Sequence, residues 1–373
     1  MRAIYVLILF LFCSSLLFSQ RVKYTPGEGV QIFNTEQQWK LSLLGYIQST
    51  YTFHNMHQNN AVQNSFYVER ARWDMIFNYL DKYQIFFEMD GAPNRTALVL
   101  AQLDISYLKD HKIEAGKFIV PFSPENNRSS CGLSTVERYS ALNSMFLLPS
   151  FDSQYGIMFY GTFEPINYYF SITNGNAEAA GNFAENNNPK DFELRLEYKS
   201  NSSFTFGASL DYTTEEQQTL SLVDHTFESF NNVTIKGRRF GYLGNWEYSK
   251  DRFLFRGEFF QFHFLGDLSF ENQVQRFSGG YGELGYFLCG NTNDGLQLIG
   301  RYENAQYNGD LLAVYGPSAL NSYILGTNWY KDGIFRLQVN LVYEKANKNS
   351  LIVNRLENKD SELELLTMLQ LKF

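Results

Sequence analysis

Residues Glu362–Phe373 read ELELLTMLQLKF and close the chain. Taken alternately back from the end, Phe373, Leu371, Leu369, Thr367, Leu365 and Leu363 form one set, five of the six large and apolar. The set between them, Lys372, Gln370, Met368, Leu366, Glu364 and Glu362, is mostly polar. Side chains on a strand point to opposite faces with period two, so this stretch is a strand with one oily face and one wet face. A strand of this kind belongs either to a soluble sandwich or to a barrel whose outer face meets lipid. The rest of the chain decides between them.

The same alternation recurs along the whole sequence. In Lys40–Phe53 the residues Leu41, Leu43, Gly45, Ile47, Ser49, Tyr51 and Phe53 share a face. Ser65–Tyr79 sets Tyr67, Ala71, Trp73, Met75, Phe77 and Tyr79 against Arg70, Arg72, Asp74 and Asn78. Phe335, Leu337, Val339, Leu341 and Tyr343 oppose Arg336, Gln338, Asn340 and Glu344. Arg252–Leu265 is ambiguous, because both faces carry Phe. About sixteen strands emerge by this reading. The connections alternate in length, with short ones near Asp81, Asp110, Pro165, Asn201, Lys250, Asn291 and Asp332. The longest, about Val120 to Ser153, is the third of the long ones, and a later polar loop is expected to reach about Thr234.

A propeller would repeat a motif of about 40 residues, and a soluble sandwich has no reason to alternate its loop lengths. In lipid every strand edge must be paired, so such strands close into a barrel with short turns at one end and longer loops at the other. Aromatic residues near strand ends, such as Tyr79, Tyr212, Tyr248 and Trp329, suit interfacial girdles. The expected fold is all-β: a transmembrane antiparallel β-barrel of about 16 strands.

Met1 to about Ser19 reads as a secretory signal peptide: Arg2 at the start, an apolar core from Ile4 to Phe12, and small residues Ser14, Ser15 and Ser19 near a cleavage site. Residues 20–373 then form one barrel domain. The remaining composition is β-rich, with 34 Phe, 25 Tyr and only 8 Pro in the chain. A net charge of −8 points away from nucleic acid. Cys131 and Cys289 are too far apart in sequence to suggest a disulfide framework or a metal cluster. His54 and His57 are expected in an exposed loop with no third ligand nearby, and no Ser/His motif surrounds His263, so neither a metal, a cofactor nor an enzyme activity is expected.

Three motifs carry a resemblance to the phosphate-selective porin O and P family. Phe66-Tyr67-Val68-Glu69-Arg70-Ala71-Arg72 is similar to that family's basic strand, with Glu69 where a further basic residue is common. Gly116-Lys117-Phe118, then Pro121-Phe122-Ser123 and Glu125, resembles its loop-entry segment. Glu137-Arg138, Asp152, Gly156 and Asn174-Gly175 follow in order. The match covers about residues 40–175, and the ending on Phe373 resembles the assembly signal of outer-membrane barrels. The resemblance implies a homotrimeric porin in the bacterial outer membrane, among lipid and lipopolysaccharide, inserted by the barrel assembly machinery. It implies a long third loop folded into the lumen, and passive uptake of small solutes or anions, phosphate and pyrophosphate among them. A non-selective general porin and a non-channel barrel used for adhesion or structure stay open beside it.

By parity, Arg70, Arg72, Arg195, Arg239, Arg301 and Arg336 face inward, and the third loop adds Arg128 and Arg138. Arginine suits phosphate because its planar fork holds two oxygens at once. The same parity places acids inside, among them Asp74, Glu88 and Asp104, with Glu125 and Glu137 on the loop. Arg72 has Asp74 beside it, Arg195 has Glu193 and Glu197, and Arg301 has Glu303. These charges serve equally as an anion path or as structural ion pairs lining a general aqueous channel.

Overall fold

The computed structural model describes residues 20–34, 36, 38–54, 64–92, 97–142, 153–175, 189–201, 203–223, 229–265, 274–309, 318–346 and 361–373. The expected signal segment, His57 and Asp152 lie outside them. The strands are β1 (Gln20–Thr25), β2 (Gly29–Asn34), β3 (Trp39–His54), β4 (Asn64–Tyr79), β5 (Tyr83–Asp90) and β6 (Ala97–Leu108). Then come β7 (His111–Ile119), β8 (Ser153–Phe163), β9 (Ile166–Thr173), β10 (Asp191–Asn201), β11 (Phe204–Val223) and β12 (Ser229–Lys250). The last six are β13 (Phe253–Leu265), β14 (Val274–Gly290), β15 (Gly295–Gly309), β16 (Ser318–Lys331), β17 (Phe335–Ala346) and β18 (Ser361–Lys372). Each pairs antiparallel with the next, and β18 returns to β3, from Glu364 opposite His54 to Lys372 opposite Tyr46. The 16 strands β3–β18 thus close a barrel, which leaves no unpaired edge to face lipid.

The parity of the terminal strand holds. Leu369 and Leu371 are about half exposed on the outside, while Met368 and Gln370 are buried within. The outward apolar run from Phe335 to Tyr343 spans about 20 Å along the membrane normal at a rise of about 3.3 Å and a tilt of about 40°. An exposed apolar belt on nearly every strand is stable only against lipid or other protein. The short turns lie at one end, where Asp81, Asp110, Asp251 and Asp332 take positive φ, which aspartate tolerates through its own backbone hydrogen bonds.

Three features differ from the sequence reading. First, β1 and β2 form an additional hairpin. β2 pairs with Lys40–Leu43 of β3, below the point where β18 stops, so two strands share one edge of β3. Six-residue strands of mixed composition leave little alternation to read. Second, the polar loop expected to reach Thr234 is largely strand: β11 and β12 stay paired from Phe204–Tyr248 up to Val223–Ser229. Backbone pairing does not need an oily face, so the ribbon continues past the apolar belt. Third, β4 carries a bulge. Gln48 pairs with Arg70 but Ser49 pairs with Val68, leaving Glu69 as the extra residue. A bulge reverses the parity beyond it. Tyr67 therefore shares the inward face, and Phe66 and Val68 point outward, Phe66 being 82% exposed.

Candidate functional site

The third long connection leaves β7 at Val120 and turns into the barrel. Its described part, residues 120–142, is mostly buried: Val120, Phe122, Glu125, Leu133, Tyr139 and Ala141 have no exposed surface, while Asn127, Ser129 and Gly132 stay exposed. A short helix α1 (Pro124–Asn127) begins it. Ser123 is the N-cap, accepting from the Asn126 N–H at 3.1 Å, and Pro124 supplies a preset φ at the first helical position. A 3-10 turn follows at Ser130–Gly132. A loop with this many buried backbone groups needs partners for them, and the barrel wall provides them.

Two apolar sockets and a charged row hold the loop to one side. Phe122 packs on Phe262 with ring centroids 5.1 Å apart, and Tyr139 packs on Tyr281 at 5.0 Å. Phe260, Phe262 and Phe277 point inward to form this socket, which settles the ambiguous parity of β13. Gly279 leaves room for Ala141, since a Cβ there would lie 2.8 Å from the Ala141 Cβ. The second socket buries Val136 among Ile324, Val342, Leu366 and Met368. The inner face is therefore wet only in part.

Between the sockets lies Glu125. It accepts from Arg301 Nη1 at 3.0 Å and from the Tyr281 hydroxyl at 3.1 Å, with Arg256 Nη2 at 4.0 Å. Burial alone would raise its pKa, but the guanidiniums of Arg301, Arg256, Arg128 and Arg138 bring it down to about 2. Burial and the nearby Glu258 push the Tyr139 phenol well up, and its hydroxyl donates to Glu258 at 3.3 Å. Backbone groups are met too. Ser140 N–H donates to Glu303 at 2.8 Å and Val136 N–H to Asn340 at 2.7 Å. Arg336 and Gln338 donate to the Leu133 carbonyl at 2.6 and 3.2 Å.

The sequence-predicted arginines do not stand as a bare ladder. Arg70 donates to Gln48 at 3.1 Å and lies 3.3 Å from Glu69 and 3.8 Å from Glu137. Arg72 pairs with Glu88 at 2.7 Å and Asp90 at 3.0 Å. Arg128 reaches Glu247 at 2.6 Å, Arg195 pairs with Glu197, and Arg239 with Asp191 at 2.7 Å and Asp211 at 3.0 Å. Arg301 joins Glu125, Glu283 and Glu303, while Arg336 serves the loop carbonyl and Gln370. Arg138 also turns to carbonyls, those of Glu125 and Arg128. Asp74 lies opposite Glu88 in the sheet, and Asp104 opposite Glu114.

His54 is the inward end of β3, between Glu362 at 2.9 Å and Glu364 at 3.3 Å, rather than an exposed loop residue. Sequence reasoning did not single out Arg256, Glu258, Glu283, Asp191 or Asp211. For Arg256 and Glu258 the period-two signal existed, masked by the phenylalanines around them. Asp191, Glu193 and Asp211 are the one group among the described residues with the spacing of a metal site. Arg239 already bridges two of the three carboxylates.

Because the loop is held to the β13–β18 side, a cleft remains against the wall formed by β8 to β12. Its volume is ≈510 Å³, and its lining includes Pro121, Pro124, Asn127 and Arg128 from the loop and Tyr169, Arg195, Glu197, Lys199, Asn245 and Glu247 from the wall.

No protein-family model matches the chain, and no curated protein does. Solved structures share its fold. The outer membrane channel DcaP of Acinetobacter baumannii aligns with a TM-score of 0.63 at 10% identity, covering 91% of this chain and 99% of that one. An anion-selective porin from Comamonas acidovorans gives 0.62 at 12%, covering 90% and 100%. In-vitro folded OmpT of Vibrio cholerae, described as a trimer form, gives 0.60 at 10%, covering 90% and 99%. At these identities the likeness is one of fold: a closed, porin-like barrel.

Proposed function

We propose that the chain is an outer-membrane porin, a water-filled channel for passive diffusion of small hydrophilic solutes. The observation that carries this reading is the cleft left open beside a loop pinned to the opposite wall. Conduction through a barrel needs no catalytic group, only a wet passage, charges that set ion preference and a loop that sets size. That solved structures of the same fold are described as channels or porins agrees with it.

Among the predicted arginines, those beside the cleft are Arg128 and Arg195, and each faces a carboxylate. This favours a general channel with modest ion preference over phosphate selectivity. Arg70, Arg72, Arg239, Arg301 and Arg336 act in this reading as structural partners of acids and loop carbonyls. The proposal includes removal of residues 1–19 on export and Phe373 as the mark read by the assembly machinery. It also includes assembly as a homotrimer, as the trimer form of OmpT suggests.

The test is single-channel conductance in a planar bilayer, with reversal potential under a KCl gradient and then titration with phosphate. Steady openings, weak selectivity and little block by phosphate are expected. A silent but folded protein would turn the assignment to a non-channel barrel, with the loop as a plug. Strong phosphate block would restore the phosphate-selective reading.

A further inference from the structure

The cleft beside the loop carries both signs of charge on facing walls. Arg128, on the loop, reaches Glu247 on β12 at 2.6 Å, while its Nε lies 3.7 Å from the buried Glu125 behind it, which stays in place when the Glu247 contact opens. Arg195 pairs with Glu197 two residues along β10 and lies over the Tyr169 ring at 5.3 Å. Lys199, the next inward residue on β10, has no ion-pair partner among the described residues. Three cations thus meet two carboxylates at the edge of a ≈510 Å³ space, within the range of about 300–1,000 Å³ usual for small-molecule sites.

We infer that this cleft is a recognition site for small zwitterions, free amino acids or short peptides, with the solute carboxylate taken by Arg128, Arg195 and Lys199 and its ammonium by Glu197 and Glu247. The inference rests on the channel reading and names the solute class it favours. The Arg128 and Glu247 side chains are 28% and 37% exposed, so their pair is solvated and opens at little cost. A zwitterion replaces each half of such a pair with an equivalent contact. A simple anion gains the cations but meets Glu197 and Glu247, and a simple cation meets the reverse. A neutral sugar gains neither, although Asn127, Asn245 and Thr205 offer it hydrogen bonds.

Swelling of proteoliposomes holding the refolded full chain tests this, with glycylglycine compared against arabinose, a neutral solute of similar size. Exchange at solvated charges of this kind corresponds to a ratio of about two- to fivefold in favour of glycylglycine. Lys199→Gln removes a cation with no ion pair to lose, and Glu247→Gln keeps the side chain's shape; each is expected to bring the ratio toward one. Heat-modifiable gel mobility reports folding of both variants. Equal rates for the two solutes, or a ratio that neither substitution changes, would overturn the inference and leave the channel standing. Swelling by neither solute would overturn the channel reading itself.

Discussion

Glu125 is the residue on which the position of the loop turns. It is fully buried, and its carboxylate answers Arg301, with Arg256 and Arg128 close by. Removing one member of a buried charge group leaves the others uncompensated, at a cost of about 3–5 kcal/mol. Glu125→Ala is therefore expected to loosen the loop, read as faster thiol labelling of the half-buried Cys131 in a Cys289→Ser background. The pH dependence has a definite sign. The docked carboxyl titrates at about 2 against a reference of 4.5, so its stabilisation is complete above about 4.5 and is lost as pH falls through about 2. Labelling of Cys131 with dithiodipyridine, which stays reactive in acid, is measured relative to a free thiol at the same pH, because the thiolate fraction falls on acidification. It should stay slow down to about pH 4 and quicken only well below it. Quickening already near pH 6 would assign control of the loop to other carboxylates.

At the scale of the element, the loop behaves as a short chain pressed on two apolar sockets, with its backbone hydrogen-bonded to the wall between them. Phe122→Ala removes the ring that packs on Phe262 from the first socket, and large-to-small changes of this kind cost about 3–5 kcal/mol. Val136→Asp places a charge among Ile324, Val342, Leu366 and Met368. Both should free the loop while the barrel, whose pairing does not involve it, still folds. The expected record is a higher, noisier single-channel conductance with normal heat-modifiability. Unchanged conductance in both variants would mean that the loop does not set the narrowest point.

At the scale of the whole molecule, closure depends on the seam between β18 and β3. Phe373 exchanges backbone hydrogen bonds with Gly45, its N–H donating at 3.0 Å and its carbonyl accepting at 3.4 Å. A Cβ on Gly45 would lie 2.5 Å from the Arg72 carbonyl oxygen and 2.8 Å from Phe373 Cζ. Gly45→Val is expected to hold the seam open and remove the fast-migrating folded band from unheated gels. A normal folded band would show that closure tolerates displacement of the Phe373 ring.

The sequence by itself determined the barrel. Lipid requires every strand edge to be paired and favours apolar outward side chains, so period-two alternation and alternating connection lengths mark about sixteen wall strands and their turns, and the structure has 16. It also determined which residues face inward on most strands, but not on β13, where Phe on both faces left the phase open, nor in β4 beyond the Glu69 bulge, which reversed it. Only the tertiary structure decided what those residues do. Arg301 and Glu125 are 176 residues apart, and parity assigns a face but not a partner across the lumen. The inward phenylalanines that blurred the reading of β13 have meaning only once Phe122 and Tyr139 of the loop lie against them. Likewise, an arginine on the wet face reads as a free charge in sequence. Its neutralisation by a carboxylate depends on strand register and loop docking, which long-range contacts alone decide.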